Sequence, residues 1–465
     1  LKVHYLMSFL YSQVKFMSNC CYDIAKPAPE ALKMKPVHVL EGHESLINSC
    51  SFSKDGRLLV SSSADGTVRL WHAASGEQVA SFEGHDGMVQ NCAFIPATSR
   101  PSKKSYFLGS VSDSDYSDSS SDDEEEDKDQ PLIISASDEE IKVWGVNDGK
   151  EKSTMLLECE GMLQNFAVSP DGTKILCNMD DECVLLSTIG RSRIVVLEGH
   201  EGTAKSLSFS EDGSAILTSS TDGSVKQWDT NTGKLVTSYD GHTDSVWKAV
   251  FSPSNMSILS CSADKSLRVW ERETGKVSMI LKGHNSPVHL CSYSPNGKWI
   301  VSASKDKEII IWSAEGEEFA RLSGHKSYIW SVECSPDSML LLSTSCDGEM
   351  ILWSLPHGKR LGTLSGHKEG VKSCSFSPSG TALASASHDN TLMLWNISGC
   401  HYQKYLGALT QLLDNRLNHT MPNYICKIMA EYTWPDLVEE LDIEEEFEPE
   451  EDSRAIFAPV QRRRI

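Results

Sequence analysis

The chain lacks paired cysteines, a basic surplus, a long apolar run and every compact catalytic signature, and each absence removes a class of protein. None of its fourteen cysteines forms a CxxC pair, so the ligand spacing of zinc sites is missing. Lysine and arginine number 43 against 65 acids, a net charge of −22. A duplex-coating protein needs a dedicated basic surface to displace counterions, so direct nucleic-acid binding is not expected. No apolar run approaches the ~18–20 residues of a membrane-spanning helix, because His4 and Lys15 interrupt or bound even the stretch VHYLMSFLYSQVKFM. There is no recognisable signal peptide, and the first residue is Leu rather than Met, which leads us to expect a piece of a longer product. No Gly-x-Ser-x-Gly elbow, phosphate-cradling glycine loop or HExxH helix occurs, so neither an enzyme nor a bound cofactor is expected.

The negative charge is concentrated. Residues 113–129 (DSDYSDSSSDDEEEDKD) carry ten carboxylates and one lysine, and residues 431–452 carry twelve carboxylates and no base, which leaves the rest of the chain near −1. Several cysteines, Cys50, Cys92, Cys291 and Cys374, stand seven residues after a Gly-His pair. Such recurrence suggests buried thiols in a reducing compartment, cytoplasmic or nuclear.

The 465 residues would suggest about three domains of ~150 residues each, but an internal repeat overrides that count. Gly-His recurs at His43, His85, His200, His242, His284, His325 and His367, with most intervals 41 or 42 residues. Tryptophan keeps step at Trp71, Trp144, Trp228, Trp270, Trp312, Trp353 and Trp395, and an aspartate precedes each by six residues, from Asp65 and Asp138 to Asp389. The 84 residues between Trp144 and Trp228 hide one more unit, in which Asp180 is retained, Leu186 replaces the tryptophan and Cys159 the histidine. Eight units result. Within each, short β-branched and apolar runs are separated by turn signals such as SPSN, SADK and ETGK, which predicts four short strands.

These units resemble the WD-repeat family, whose ~40–45-residue repeats each build one four-stranded propeller blade. The residue after the tryptophan is Asp only at Asp229, with Glu271, Ser313 or Asn396 among those standing elsewhere. The resemblance implies an all-β, closed eight-bladed propeller over 36–397, with residues 36–43 adding an outer strand to the last unit. A seven-bladed ring with the degenerate unit extruded is the alternative. Helical extensions are expected at 1–35 and 398–446, the first from the spacing of Leu6, Phe9, Leu10, Val14 and Met17, followed by an acidic then basic tail at 447–465.

The pattern has a physical reason: a tryptophan N–H, a hydroxyl, a histidine and an aspartate can satisfy one another where water does not reach. In the family the hydroxyl lies four residues before the aspartate, which selects Ser61, Thr218, Ser260, Ser302, Ser343 and Ser385. Repeat two has Ile134 there, and repeat three keeps only its aspartate, so these two blades are expected to be the least rigid. Six identical His, Ser/Thr and Asp sets read as structural, since a nucleophile needs one exposed, activated copy.

Repeat two also carries 31 additional residues near 97–129, a low-complexity stretch that cannot bury a core and is expected to be disordered. Ser112, Ser119, Ser120 and Ser121 each have an acid three residues on and resemble acidophilic kinase sites. Members of the family recruit proteins through the top rim, at positions three and five after the histidine and one before the aspartate. Those offsets give Met88, Lys205, Trp247, His289, Lys305, Tyr328, Trp330, Lys372 and His388 among others, with no acid in the set. Large aromatics beside cations fit an acidic, phosphorylated or amphipathic peptide of a protein partner. The implied function is a non-enzymatic interaction scaffold. A ubiquitin-ligase substrate receptor is a second reading, although the arginine three residues after the tryptophan that marks many such members is absent. The sensor propeller of a nucleotide-switched signalling protein is a third.

Overall fold

The structure, a computed structural model, describes residues 32–96, 132–138, 140–146, 151–156, 163–179, 182–188, 193–355 and 357–398. The expected terminal helices, the acidic insertion with its four serines, Cys159 and Asp180 lie outside the described residues. No helix among the described residues is long and apolar enough to cross a membrane.

The described elements are strands, and they form eight sheets, seven of four strands and one of five. Blade one contains Ile47–Phe52, Leu58–Ser63, Val68–His72 and Gln78–Phe82, each pairing antiparallel with the next. Blades two to seven repeat this meander, with first strands at Asn91–Ile95, Leu163–Val168, Ala204–Phe209, Val246–Phe251, Val288–Tyr293 and Ile329–Cys334. Blade eight supplies Val371–Phe376, Ala382–Ser387 and Leu392–Asn396. The degenerate unit is not extruded, because Leu163–Val168, Lys174–Met179, Glu182–Ser187 and Arg193–Val196 form a blade of their own. Eight blades are therefore present, and the seven-bladed alternative falls.

Strands this short cannot bury both faces within one sheet, so the core lies between sheets. Eight apolar clusters result, one for each successive pair of blades. Between blades five and six, Leu259, Cys261 and Val269 meet Val288, Cys291 and Ile300. Between blades eight and one, Leu392, Leu394 and Ala384 meet Ile47, Leu59 and Trp71. The recurring cysteines sit in these seams: Cys291 Sγ lies 3.7 Å from the Lys248 carbonyl of the neighbouring blade, and Cys50, Cys92, Cys291 and Cys374 are all buried. Burial pushes the Cys92 thiol up to about 12, as expected of an inert core thiol.

Two short strands precede blade one. His38–Leu40 completes blade eight by pairing antiparallel with its third strand, with His38 opposite Leu394 and Leu40 opposite Leu392. Leu32–Met34, which the repeat pattern did not foretell, pairs in parallel with Arg360–Leu364 and makes blade seven five-stranded. The chain before blade one thus straps blades seven and eight together. Blade one closes over the strap at Gly76, whose φ of +75° suits a residue without a side chain. A Cβ there would lie 2.9 Å from Leu40 Cδ2 and 3.0 Å from His38 Cβ.

Candidate functional site

Each blade is organised by one polar chain. In blades one and four to eight the tryptophan N–H donates to the Ser or Thr hydroxyl at 2.8–2.9 Å. The same hydroxyl lies 2.7–2.9 Å from the histidine Nε2. In five of these blades Nδ1 reaches the aspartate at 2.7–3.0 Å, whereas in blade seven His325 and Asp347 stand 3.6 Å apart, beyond hydrogen-bond reach. The network assigns the protons: the hydroxyl donates to Nε2, and Nδ1–H donates to the carboxylate. The aspartate also caps its own turn and ties it to the loop after the histidine, as Asp65 does by accepting from the N–H groups of Thr67 and Glu44. The hydroxyl residues are 0–1% exposed, with Oγ occupied on both sides, so they are placed to hold strands and not to attack a substrate.

Blade two corrects the expectation from sequence. The hydroxyl there is Ser135, not the Ile134 position, and the acid is Glu140, not Asp138. His85 reaches Ser135 Oγ at 2.7 Å and Glu140 Oε1 at 3.0 Å, and the Trp144 N–H donates to Ser135 at 2.7 Å. The cause is a shorter turn. Ser61 pairs with Arg69 across blade one, a separation of eight, whereas Ser135 pairs with Lys142, a separation of seven. Counting back from the tryptophan therefore overshoots the hydroxyl by one residue and the acid by two. Ile134 instead points into the core, fully buried, and among the described residues the Asp138 carboxylate accepts a long 3.4 Å bond from Gln90, while its carbonyl takes the Leu163 N–H. In blade three the hydroxyl register is taken by Cys177, whose thiol lies 3.4 Å from the Val184 carbonyl, and Leu186 is buried in place of the tryptophan.

These groups set an acid dependence. Burial works against ionised Asp222, yet hydrogen bonds from Ser224 and His200 hold it down at about 2, and Asp65, Asp264 and Asp389 are held lower still by the same kind of contacts. Burial also lowers His200, His284 and His325, against the pull of their aspartates. In both cases the unfolded chain binds protons first as pH falls, so stability is lost in that direction. The melting temperature should hold above the ordinary histidine range of about 6.5, decline below it, and drop steeply under pH ~4. Equal melting by circular dichroism at pH 7 and pH 4 would refute this assignment.

The rim positions have a structural cause that the sequence does not display. In seven blades the first strand shifts register after its first residue, for example between Val246 and Lys248 and between Ile329 and Ser331. The skipped residue is a bulge, aimed away from the ladder, and it is the residue five after the histidine, or after Cys159 in blade three: Asn48, Gln164, Lys205, Trp247, His289, Trp330 and Lys372. Blade two has no such shift.

Neighbouring bulges meet the loops beside them in pairs. The Lys305 ammonium lies 5.6 Å from the Trp247 ring centroid. His289 stacks on Tyr328 at 4.2 Å, and Trp330 meets His388 at 4.8 Å. Lys372 donates to Asn48 Oδ1 at 2.7 Å, and Asn48 donates in turn to the Val89 carbonyl. Seven of the nine rim candidates thus form an arc over blades five to eight, continued into blade one by Asn48. Exposed Met88 and half-buried Lys205 lie outside these pairs. Burial lowers His289 to about 4, reinforced by the Lys305 charge, so the ring is neutral. Burial also raises Tyr328 to about 12 and lowers Lys372. The same offsets also cover Asn48, five after His43, and Gly370, three after His367, which were not singled out; a Cβ at Gly370 would lie 2.6 Å from the Trp330 ring.

Six stretches of the chain, 34–72, 191–229, 233–271, 275–313, 316–354 and 358–396, match the family described as WD domain, G-beta repeat. Residues 73–190, which hold the displaced tetrad of blade two and the first three strands of the degenerate blade three, are not among them. Eukaryotic translation initiation factor 3 subunit I of Candida albicans is 24% identical over 222 residues, covering 44% of this chain and 54% of that protein. The protein of the same name from Schizosaccharomyces pombe is 23% identical over 219 residues, covering 44% and 56%. Mitochondrial division protein 1 of Mycosarcoma maydis is 26% identical over 220 residues, covering 43% and 23%. The chain spans about half the length of the initiation-factor relatives it matches. Among solved structures, the computationally designed Ika8 protein superposes with a TM-score of 0.62 at 24% identity, covering 78% of this chain and 99% of that one, a likeness of fold alone.

Proposed function

The chain belongs to the WD domain, G-beta repeat family, and from that premise we propose that it is a non-enzymatic scaffold that recruits protein partners through the rim of a closed propeller spanning 36–397. The strap on blade eight and the apolar cluster between blades eight and one support closure. The observation that carries the functional reading is the arc of bulge residues, Trp247, His289, Trp330 and Lys372, with Lys305, Tyr328 and His388 beside them. Bulges aim these side chains off the ladder, and half-buried aromatics on consecutive blades offer contact area at little entropic cost. The chemistry favours an amphipathic segment: Lys372 is already bonded to Asn48 and His289 is neutral, which leaves Lys305 for an acidic residue. Relatives named as subunits of a translation initiation factor support a place within a larger assembly, and the expected site of action is the cytoplasm or nucleus.

The test is affinity capture with the full chain and with Trp330→Ala, after both are shown to melt alike. Loss of a defined set of partners in the variant is the expected result. Identical partner sets would mean that the aromatic rings only plug the centre of the propeller.

A further inference from the structure

Among the described residues, blade seven alone carries a strand beyond its outer one: Leu32–Met34 lies parallel to Arg360–Leu364, with Leu32 opposite Gly362 and Met34 opposite Leu364. The Ser365 N–H donates to the Met34 carbonyl at 3.3 Å, and in a parallel ladder of this register Thr363 turns both its N–H and its C=O to the added strand. Gly362 stands where blades one to six have Ala80, Ser153, Val195, Thr237, Met279 and Ala320. A glycine inside a strand marks the close approach of a second backbone. The edge of blade seven is thus suited to another strand, yet the fold does not require one there. His38–Leu40 already completes blade eight, and in blades one to six the sheet ends without a fifth strand. Leu32–Met34 is also lightly held. The pairing covers three residues, Lys33 is exposed and Met34 half-buried, and the next anchor is the Val37 N–H, which donates to the Leu394 carbonyl of blade eight at 2.7 Å.

We propose that the outer edge of blade seven is a strand-addition site for an extended segment of a partner protein, and that Leu32–Met34 is its resident, displaceable occupant. This goes beyond the rim reading and does not rest on it, since no residue of the rim arc takes part. The resident strand defines the segment that fits. It pairs in parallel, its main chain meets Thr363 and Ser365, and it places an apolar side chain opposite Leu364, where Met34 packs against the cluster between blades seven and eight. The residue opposite Thr363 is free to vary, because Lys33 stands there exposed. Main-chain hydrogen bonds give such a site its affinity, and the alternate side chains its selectivity. A partner binds only molecules whose edge is open, so its apparent affinity is scaled by that fraction. The short linker of residues 35–37 keeps the fraction small by holding the resident strand at a high local concentration. A bare edge would pair with other copies of the chain, and the resident strand prevents this when no partner is present.

The probe is a library of short randomised peptides displayed on phage and selected on the full chain carrying Met34→Asp, which sets a charge against the apolar cluster and frees the edge. Selected peptides are resynthesised, titrated by fluorescence anisotropy and located by hydrogen exchange. The control adds Thr363→Pro, which removes the donor that an added strand uses, at an edge position where proline is tolerated. We expect peptides that protect residues 360–365, bind Met34→Asp at least about tenfold more tightly than the parent chain, lose binding when Thr363→Pro is added, and speed exchange at residues 32–34 of the parent. Peptides that bind both chains alike, or that leave 360–365 unprotected, overturn the site, and so does a selection that returns none, which would leave Leu32–Met34 a fixed cover of the edge. Should Thr363→Pro fail to fold, the exchange map and the comparison of Met34→Asp with the parent decide. Should Met34→Asp fail to fold, Met34→Ser takes its place.

Discussion

A chain shortened to begin at Glu41 should melt about 10 °C below the full chain, or fail to fold. The cut removes both strands that precede blade one. Leu40 is 3% exposed and packs with Ile47, Leu59, Trp71, Leu392 and Leu394, and Met34 packs on the blade seven to eight cluster that includes Leu364. Losing the buried Leu40 side chain costs ~1.5–3 kcal/mol and losing the half-buried Met34 less, and each lost ladder hydrogen bond adds ~0.5–1.5 kcal/mol. A total on the order of 5 kcal/mol, at roughly 2 °C per kcal/mol in a chain of this size, gives the stated shift. The cut also bares the third strand of blade eight as an edge, so aggregation should accompany the loss. A chain beginning at Glu30 keeps both strands and is the control. If the two shortened chains melt together in scanning calorimetry, the strap does not hold the seam.

Blade two offers the second large effect, and it separates the register seen in the structure from the one counted in the sequence. Ser135→Ala should cost about 2–3 kcal/mol, because it leaves the buried Trp144 N–H without its acceptor and removes a bond to His85. Glu140→Ala should cost a comparable ~2 kcal/mol, since the carboxylate meets both His85 Nδ1 and the nearly buried Lys142 ammonium, 3.3 Å away. Asp138→Ala should stay within about 0.5 kcal/mol of the parent, as the carboxylate's contact with Gln90 is long and part-buried and the substitution keeps the backbone carbonyl. Chemical denaturation of the three variants decides. A cost at Asp138 equal to that at Ser135 would restore the register obtained by counting back from the tryptophan.

Blades two and three were expected to be the least rigid because their tetrads read as incomplete. Blade two proves to have a full chain of Trp144, Ser135, His85 and Glu140, built from different members. Blade three keeps Cys177 in the hydroxyl register, while its aspartate and its substitute for histidine fall outside the described residues. The misreading has a definite origin. A fixed offset assumes a fixed turn length, and a turn one residue shorter moves the hydroxyl by one place without disturbing the alternation that marks the strands.

The rim was legible only as a set of offsets. That the residue five after the histidine is a bulge depends on a register shift between two strands, which appears when both are paired. Nothing in Trp247 or His289 alone announces that Trp247 Nε1 and His289 Nδ1 have no hydrogen-bond partner among the described residues. That follows from where Ile329 and Lys305 come to lie, on strands and loops of other blades.

The repeat pattern specifies the number of units, their four-strand content, the tetrad members of six blades and the strand that completes blade eight. These are local and periodic: each depends on residues within one repeat, and repetition makes the signal redundant. The tertiary structure alone decided the acid and hydroxyl of blade two, the parallel addition of Leu32–Met34 to a strand more than three hundred residues away, and the pairing of rim aromatics between blades. These depend on hydrogen-bond register and on contacts between repeats, where a one-residue change in a turn alters which side chains meet, and no periodicity within a single repeat records it.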